Sequence, residues 1–220
     1  MSDLGLPAAV LWDLDGTIVD TEPLWIEAEY DLARRHGAQW TSDDALKLVG
    51  NDLLDSGTYI RERMELAMTA EDVVDELVTV MAGRMEESVD WRPGARDLLE
   101  DLRTHGVPTA LVTMSYRAIV DPLLRKLPND TFDVVVVGDE VSDGKPHPAP
   151  YLTAARLLGV EPADCIAIED SPTGAASADA AGCHVLAIPH HVPVPESPRR
   201  SHRDTLDGLD ARGLLLATSV

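Results

Sequence analysis

Apolar residues along the chain follow two different rhythms. Ala8 to Trp12 form an unbroken apolar run of strand length, which stops at the turn Asp13-Leu14-Asp15-Gly16-Thr17. From Pro23 to about Ser88 no such run recurs. Leu24–His36, Asp43–Val49, Leu53–Met64 and Ala70–Glu86 instead carry apolar residues three and four apart, the period of amphipathic helices. Pro23 suits a first helical position and Gly37 a helix exit, while Thr41-Ser42-Asp43-Asp44 and Thr69-Ala70-Glu71-Asp72 read as N-caps with acids in the first turn. The helical stretch closes at Trp91-Arg92-Pro93-Gly94, and a further helix is predicted over Ala95–His105.

Strand-like runs then return at Val107–Thr113, Asp133–Val137, Cys165–Glu169 and His184–Ile188. They alternate with helical stretches near Tyr116–Leu127, Pro148–Leu158 and Pro172–Ala181, the order of a parallel sheet with helices on both faces. Pro189 to Ser201, with four prolines, reads as an extended surface excursion, and Asp204–Leu216 as a terminal helix and tail. The expected fold is α/β: a core of residues 1–19 and 91–220, with an all-helical module of residues 20–90 inserted after the first core strand.

Composition narrows the function. A chain of 220 residues that is 45% hydrophobic can fill a core, and its few aromatics suit small-residue helix packing on buried parallel strands. The formal net charge of -21, from 39 acids and 18 bases, argues against nucleic acid or an anionic membrane as partner and for a small-molecule substrate. Residues 20–90 hold 18 acids against 6 bases, a net of -12, and the rest of the chain holds -9. Cys165 and Cys183 form no disulfide framework, no basic-then-apolar segment leads the chain, and no apolar run approaches the ~20 residues that span a bilayer. A cytoplasmic monomer is expected.

The chemistry gathers at strand ends. Asp13 and Asp15 stand two apart where the first strand gives way to a Gly-bearing turn, so both can face one ligand. Thr113 ends the second core strand, and Met114 follows in a turn whose backbone amides, with the Thr hydroxyl, could cradle an anion. Lys145, one of only three lysines, sits in Gly144-Lys145-Pro146-His147-Pro148 after the third. This is no P-loop, because five residues separate Gly138 from Gly144 and Pro146 stands where Ser or Thr would bind metal; His147 reads as a turn residue. Glu169 and Asp170 end the next strand, just before Ser171-Pro172 opens a helix. A second acidic strand end beside Asp13 and Asp15 is unfavourable unless a cation lies between them, and hard oxygens without His or Cys point to Mg2+.

Asp13-Leu14-Asp15-Gly16-Thr17 with Val19-Asp20-Thr21, the strand-end Thr113, Gly144-Lys145-Pro146 and Glu169-Asp170-Ser171-Pro172-Thr173-Gly174 together resemble the haloacid dehalogenase superfamily, in its β-phosphoglucomutase and phosphatase branch. The resemblance implies a Rossmann-like core and a helical cap with connections near Asp20–Pro23 and Ser88–Gly94. It implies that Asp13 attacks phosphorus and Asp15 acts as general acid and base. Thr113, Met114 and Lys145 would bind phosphate, and Mg2+ would be held by Asp13, the Asp15 backbone carbonyl, Asp170 and, directly or through water, Glu169. Asp15 and Asp170 speak against the metal-free dehalogenases of that superfamily. Its phosphonoacetaldehyde hydrolases use a cap lysine, and the only one here is Lys47, in a helical run. Thr21 matches the mutases, but Trp25 replaces their hinge histidine and Gly50-Asn51-Asp52-Leu53 lacks their cap-loop arginine. The acidic module is a poor dock for a second phosphate, although Arg61 or Arg63 could give one contact. The expectation is a Mg2+-dependent phosphatase acting on a sugar phosphate or similar small monoester, with a phosphomutase as alternative. A catalytically silent binding module is disfavoured by the intact motif residues. Glu22, Trp25, Gly50 and Asn51 are the candidates for reading the substrate.

Overall fold

The computed structural model describes residues 5–48 and 52–218. Six parallel strands, β1 (Ala9–Trp12), β2 (Thr109–Val112), β3 (Val134–Val136), β4 (Cys165–Glu169), β5 (His184–Ala187) and β6 (Arg200–His202), form one sheet in the order β3-β2-β1-β4-β5-β6. β1 lies between β2 and β4, with Leu11 beside Ala110 on one side and Ala167 on the other. The strand order therefore switches direction at β1, which opens a crevice beyond the carboxyl ends of β1 and its neighbours.

Side-chain alternation sorts the strands into a bulky and a small-residue face. Val10, Trp12, Leu111, Ile166, Ile168 and Leu186 pack with α5 (Ala95–Thr104), α6 (Arg117–Leu124) and α9 (Ala211–Thr218). Ala9, Leu11, Ala110, Val112, Ala167 and Val185 face α7 (Ala149–Leu158) and α8 (Pro172–Ala181), whose Ala154, Ala155, Ala175 and Ala178 let the helices approach closely. The α/β expectation is met.

Helices α1 (Glu22–His36), α2 (Ser42–Leu46), α3 (Leu53–Arg63) and α4 (Ala70–Glu87) stand between β1 and α5. Their caps follow the local sequence: Thr41 with Asp44 and Thr69 with Asp72 form capping boxes, and Gly37 leaves α1 at φ 64°. The two connections to the sheet run antiparallel and pair, Asp20 N donating to Asp90 O at 2.8 Å and Arg92 N to Ile18 O at 2.9 Å. Ile60, Leu77, Met81 and Met85 join the apolar cluster of the bulky sheet face, so burial is continuous from sheet to inserted helices. Beside it, Arg125 donates to Glu86 at 2.5 Å, and Lys126 Nζ to the Glu86 carbonyl at 2.6 Å.

Three expectations need correction. The proline-rich stretch does not stay an excursion: its last residues enter β6, which pairs with β5 from Val185–Arg200 to Ala187–His202. Arg200, Ser201 and His202 are half-buried on a sheet edge, where no apolar run is required. The terminal helix starts at Ala211 rather than Asp204, because Gly208 takes φ 72° and Asp210 caps the helix through Gly213 N at 2.6 Å. Helix α2 ends at Leu46, and Val49 lies outside the described residues. No helix among the described residues is long and apolar enough to cross a membrane.

Candidate active site

β1 ends at Trp12, and Asp13 remains tied to the sheet through its N–H to Ile168 O at 3.0 Å. Lys145 reaches the same point from the loop after β3: its Nζ donates to Asp13 Oδ1 at 2.7 Å and to Glu169 Oε1 at 2.6 Å. Tyr151, fully buried on α7, donates to the same Glu169 oxygen at 2.5 Å, and Ser171 Oγ to the other at 3.3 Å. Glu169 thereby pins the ammonium. Burial alone would lower the pKa of Lys145, but Asp13 and Glu169 outweigh it and hold it above the ordinary lysine value. Met114 contributes its sulfur, which accepts from Lys145 N at 3.3 Å.

Two glycines make room for the carboxylates. A Cβ on Gly174 would lie 2.0 Å from Glu169 Oε1, and one on Gly16, whose φ is 82°, 2.1 Å from Asp170 Oδ2. That is a physical reason for glycine in both motifs.

Asp15 is held differently. Thr21 Oγ1 donates to its Oδ1 at 2.6 Å, and Ser115 Oγ and Thr113 Oγ1 donate to its Oδ2 at 2.7 and 3.1 Å. Thr113, expected at the phosphate, is fully buried, and its hydroxyl is engaged by Asp15 and by the N–H of Ser115 at 3.0 Å.

Asp13, Glu169 and Asp170 are all buried and can each offer an oxygen within 4.8 Å of the others. Burial, then Glu169, raises the pKa of Asp13 against the opposing pull of Lys145; burial, then Asp13, raises that of Asp170. Asp170 is 8% exposed and accepts no hydrogen bond among the described residues. A buried carboxylate without a donor, in a set of hard oxygens with a single ammonium, fits a hard divalent cation.

Above this floor opens a cavity of about 430 Å³. Its wall is helical: Glu22, Trp25 and Glu29 from α1, Ser56 and Ile60 from α3, and Leu77 from α4. Glu22 and Trp25 thus face the space that the motif residues line, whereas Gly50 and Asn51 lie outside the described residues. Burial raises the pKa of Glu22. His191 closes another side and stands with His190 about Asp20, their Nε2 atoms 3.4 and 3.1 Å from its carboxylate. Lys145 is the only Lys or Arg among the described lining residues.

The pattern of the haloacid dehalogenase-like hydrolases matches residues 10–188, from β1 through β5 with the helices between them. The chain belongs to the haloacid dehalogenase-like hydrolase family. It is 34% identical over 181 residues to hexitol phosphatase A of Escherichia coli K12, a match that covers 81% of each chain. It is 36% identical over 186 residues to the bifunctional riboflavin kinase/FMN phosphatase of Arabidopsis thaliana, covering 84% of this chain but 49% of that protein, so it spans about half of that relative. Among solved structures, a CbbY variant from Rhodobacter sphaeroides in complex with xylulose-(1,5)bisphosphate superposes with a TM-score of 0.85 at 25% identity, over 95% of this chain and 99% of that one. Within the family the chain is a phosphoric monoester hydrolase, as the strand-end motifs predict.

Four residues of this hydrolase's cavity and its floor escape a reading of strand ends. Ser115 had a signal, a second hydroxyl two residues past Thr113. Glu29 had one too: it follows Glu22 and Trp25 at helical spacing, an acid on the inward face of α1. Tyr151 and His191 had none, since each reaches the site by tertiary packing alone.

Proposed function

We propose that the chain hydrolyses a small phosphorylated metabolite, a sugar phosphate or similar monoester, through an aspartyl phosphate on Asp13. The observation that carries this reading is the contact of Asp13 with Lys145 below a cavity that Asp15 also lines. A carboxylate oxygen of Asp13 attacks phosphorus while the ester oxygen leaves with a proton from Asp15. Asp15 then takes a proton from water, whose oxygen displaces Asp13 and releases phosphate. The hydroxyls of Thr21, Thr113 and Ser115 orient the Asp15 carboxyl, and Lys145, pinned by Glu169, offsets charge on the transferring oxygens. Bound Mg2+ supplies further charge neutralisation at those oxygens, and Asp13, Asp170 and the Asp15 backbone carbonyl are the groups to hold it, with Glu169 behind them. Thr113 stands behind Asp15, and Met114 steadies Lys145.

Residues 20–90 act as the cap over this site and residues 1–19 with 91–220 as the core. Lys145 supplies the single strong cation in the described lining, while Arg63 is bound to Asp44 at 2.9 Å and Arg61 to Glu62 at 3.2 Å. That favours hydrolysis of one ester over a mutase, which holds two phosphates. The substrate is a small molecule met by a cytoplasmic monomer. Phosphate release from a panel of phosphorylated metabolites with Mg2+ tests the reading, with Asp13→Asn as control; no Mg2+-dependent release from any ester overturns it.

A further inference from the structure

We infer that Glu29 selects the leaving group by hydrogen-bonding a hydroxyl on its carbon skeleton, so that the preferred monoesters are hydroxylated and carry no second anion. This rests on the phosphatase reading and specifies which esters it serves. Glu29 is 5% exposed, and what it exposes faces the cavity. Its Oε2 accepts from Trp40 Nε1 at 3.0 Å, which fixes the carboxyl plane, while Oε1 has no hydrogen-bond partner among the described residues. The helical wall it belongs to is mostly apolar, with Trp25, Leu48, Leu53, Ile60 and Leu77 in the lining beside Glu22 and Ser56. A buried carboxyl with one oxygen unsatisfied is costly for the fold alone, and a substrate hydroxyl would remove that cost.

The polarity of the partner follows from charge. Burial, opposed by the Trp40 hydrogen bond and assisted by Glu22, raises the pKa of Glu29 to about 7, so both ionisation states are populated near neutrality. A hydroxyl can donate to the carboxylate or accept from the acid, and so satisfies either state. A phosphate or carboxylate group at the same place would meet Glu29 and the nearby Glu22, while Lys145 is held at the floor by Asp13 and Glu169. A site built to bond a hydroxyl also discriminates strongly against analogues that lack it.

The test compares kcat/KM with Mg2+ on sorbitol 6-phosphate, phosphoglycolate and phenyl phosphate for the full chain, Glu29→Leu and the isosteric Glu29→Gln. The native enzyme should prefer sorbitol 6-phosphate to phosphoglycolate by tenfold or more. The ratio of sorbitol 6-phosphate to phenyl phosphate should fall at least about tenfold in Glu29→Leu, chiefly through KM, and less in Glu29→Gln, whose amide still bonds a hydroxyl. A native preference for phosphoglycolate, a ratio unchanged in a Glu29→Leu protein that melts as one folded species, or a fall in Glu29→Gln as large as that in Glu29→Leu, overturns the role of Glu29. Failure of the native enzyme on every ester of a wide panel overturns the phosphatase reading instead.

Discussion

The floor and the wall of the cavity both carry acids, but in opposite settings. On the floor, Asp13 and Glu169 share one ammonium, Asp15 takes three hydroxyls, and only Asp170 lacks a donor among the described residues. On the wall, Glu29 is buried with one indole N–H as its donor among the described residues. Charge-assisted bonds between elements set the floor geometry before substrate arrives, which suits a reaction whose catalysis is positioning and electrostatics. An acid half satisfied by protein leaves an oxygen for something else. In the proposed reaction the floor supplies the chemistry and the wall the discrimination, and each can be perturbed separately.

The largest effect is expected from Asp13→Asn, which removes the proposed nucleophile and leaves the fold. Turnover should drop by at least about a thousandfold with the melting temperature nearly unchanged; a loss within tenfold would break the assignment of the floor. Asp170→Asn should come next. Activity should need far more Mg2+, with partial rescue at high metal, and in chelator at neutral pH the variant should melt higher than the native protein, since it lacks a carboxyl whose ionisation the folded state opposes through burial and Asp13. Native activity that survives a chelator would remove the metal from the floor.

A third test sharpens the wall. Glu29 has a folded pKa of about 7 against 4.5 for an ordinary glutamate, so the folded chain keeps its proton where the unfolded chain loses it. Its contribution to stability is full below about pH 4.5 and is lost as pH rises to 7, at most about 3 kcal/mol. The melting temperature of Glu29→Gln should therefore gain on the native protein between pH 5 and pH 8; parallel curves would show that Glu29 is ionised in the fold throughout. The smallest effect is expected from Tyr151→Phe, which deletes one of the donors that steady Glu169. A drop in kcat of about tenfold, with KM little changed, is the outcome to look for in steady-state kinetics. A change in KM alone would place Tyr151 in substrate binding rather than behind Lys145.

Much of the fold follows from short-range pattern. The runs at Ala9–Trp12, Ala110–Val112 and Cys165–Ile168 are buried on both faces, so they are apolar throughout, and the three- and four-residue spacing of residues 24–86 marks helices with one buried side. The half-buried edge strand Arg200–His202 shows no such run and is invisible to that pattern. The site divides the same way. Asp13, Asp15, Lys145 and Asp170 are legible because strand ends in a parallel sheet point into one crevice, and Gly16 and Gly174 because backbone must yield to carboxylates there. The partners that give these groups their work were decided in three dimensions. Tyr151 meets Glu169 across 18 residues, Ser115 meets Asp15 across 100, and the indole of Trp40 fixes Glu29 across 11, separations with no period that a chain could display. Local periodicity follows from backbone geometry and burial, whereas a hydrogen bond between elements depends on how whole helices and strands pack, and that is set only when the chain closes on its core.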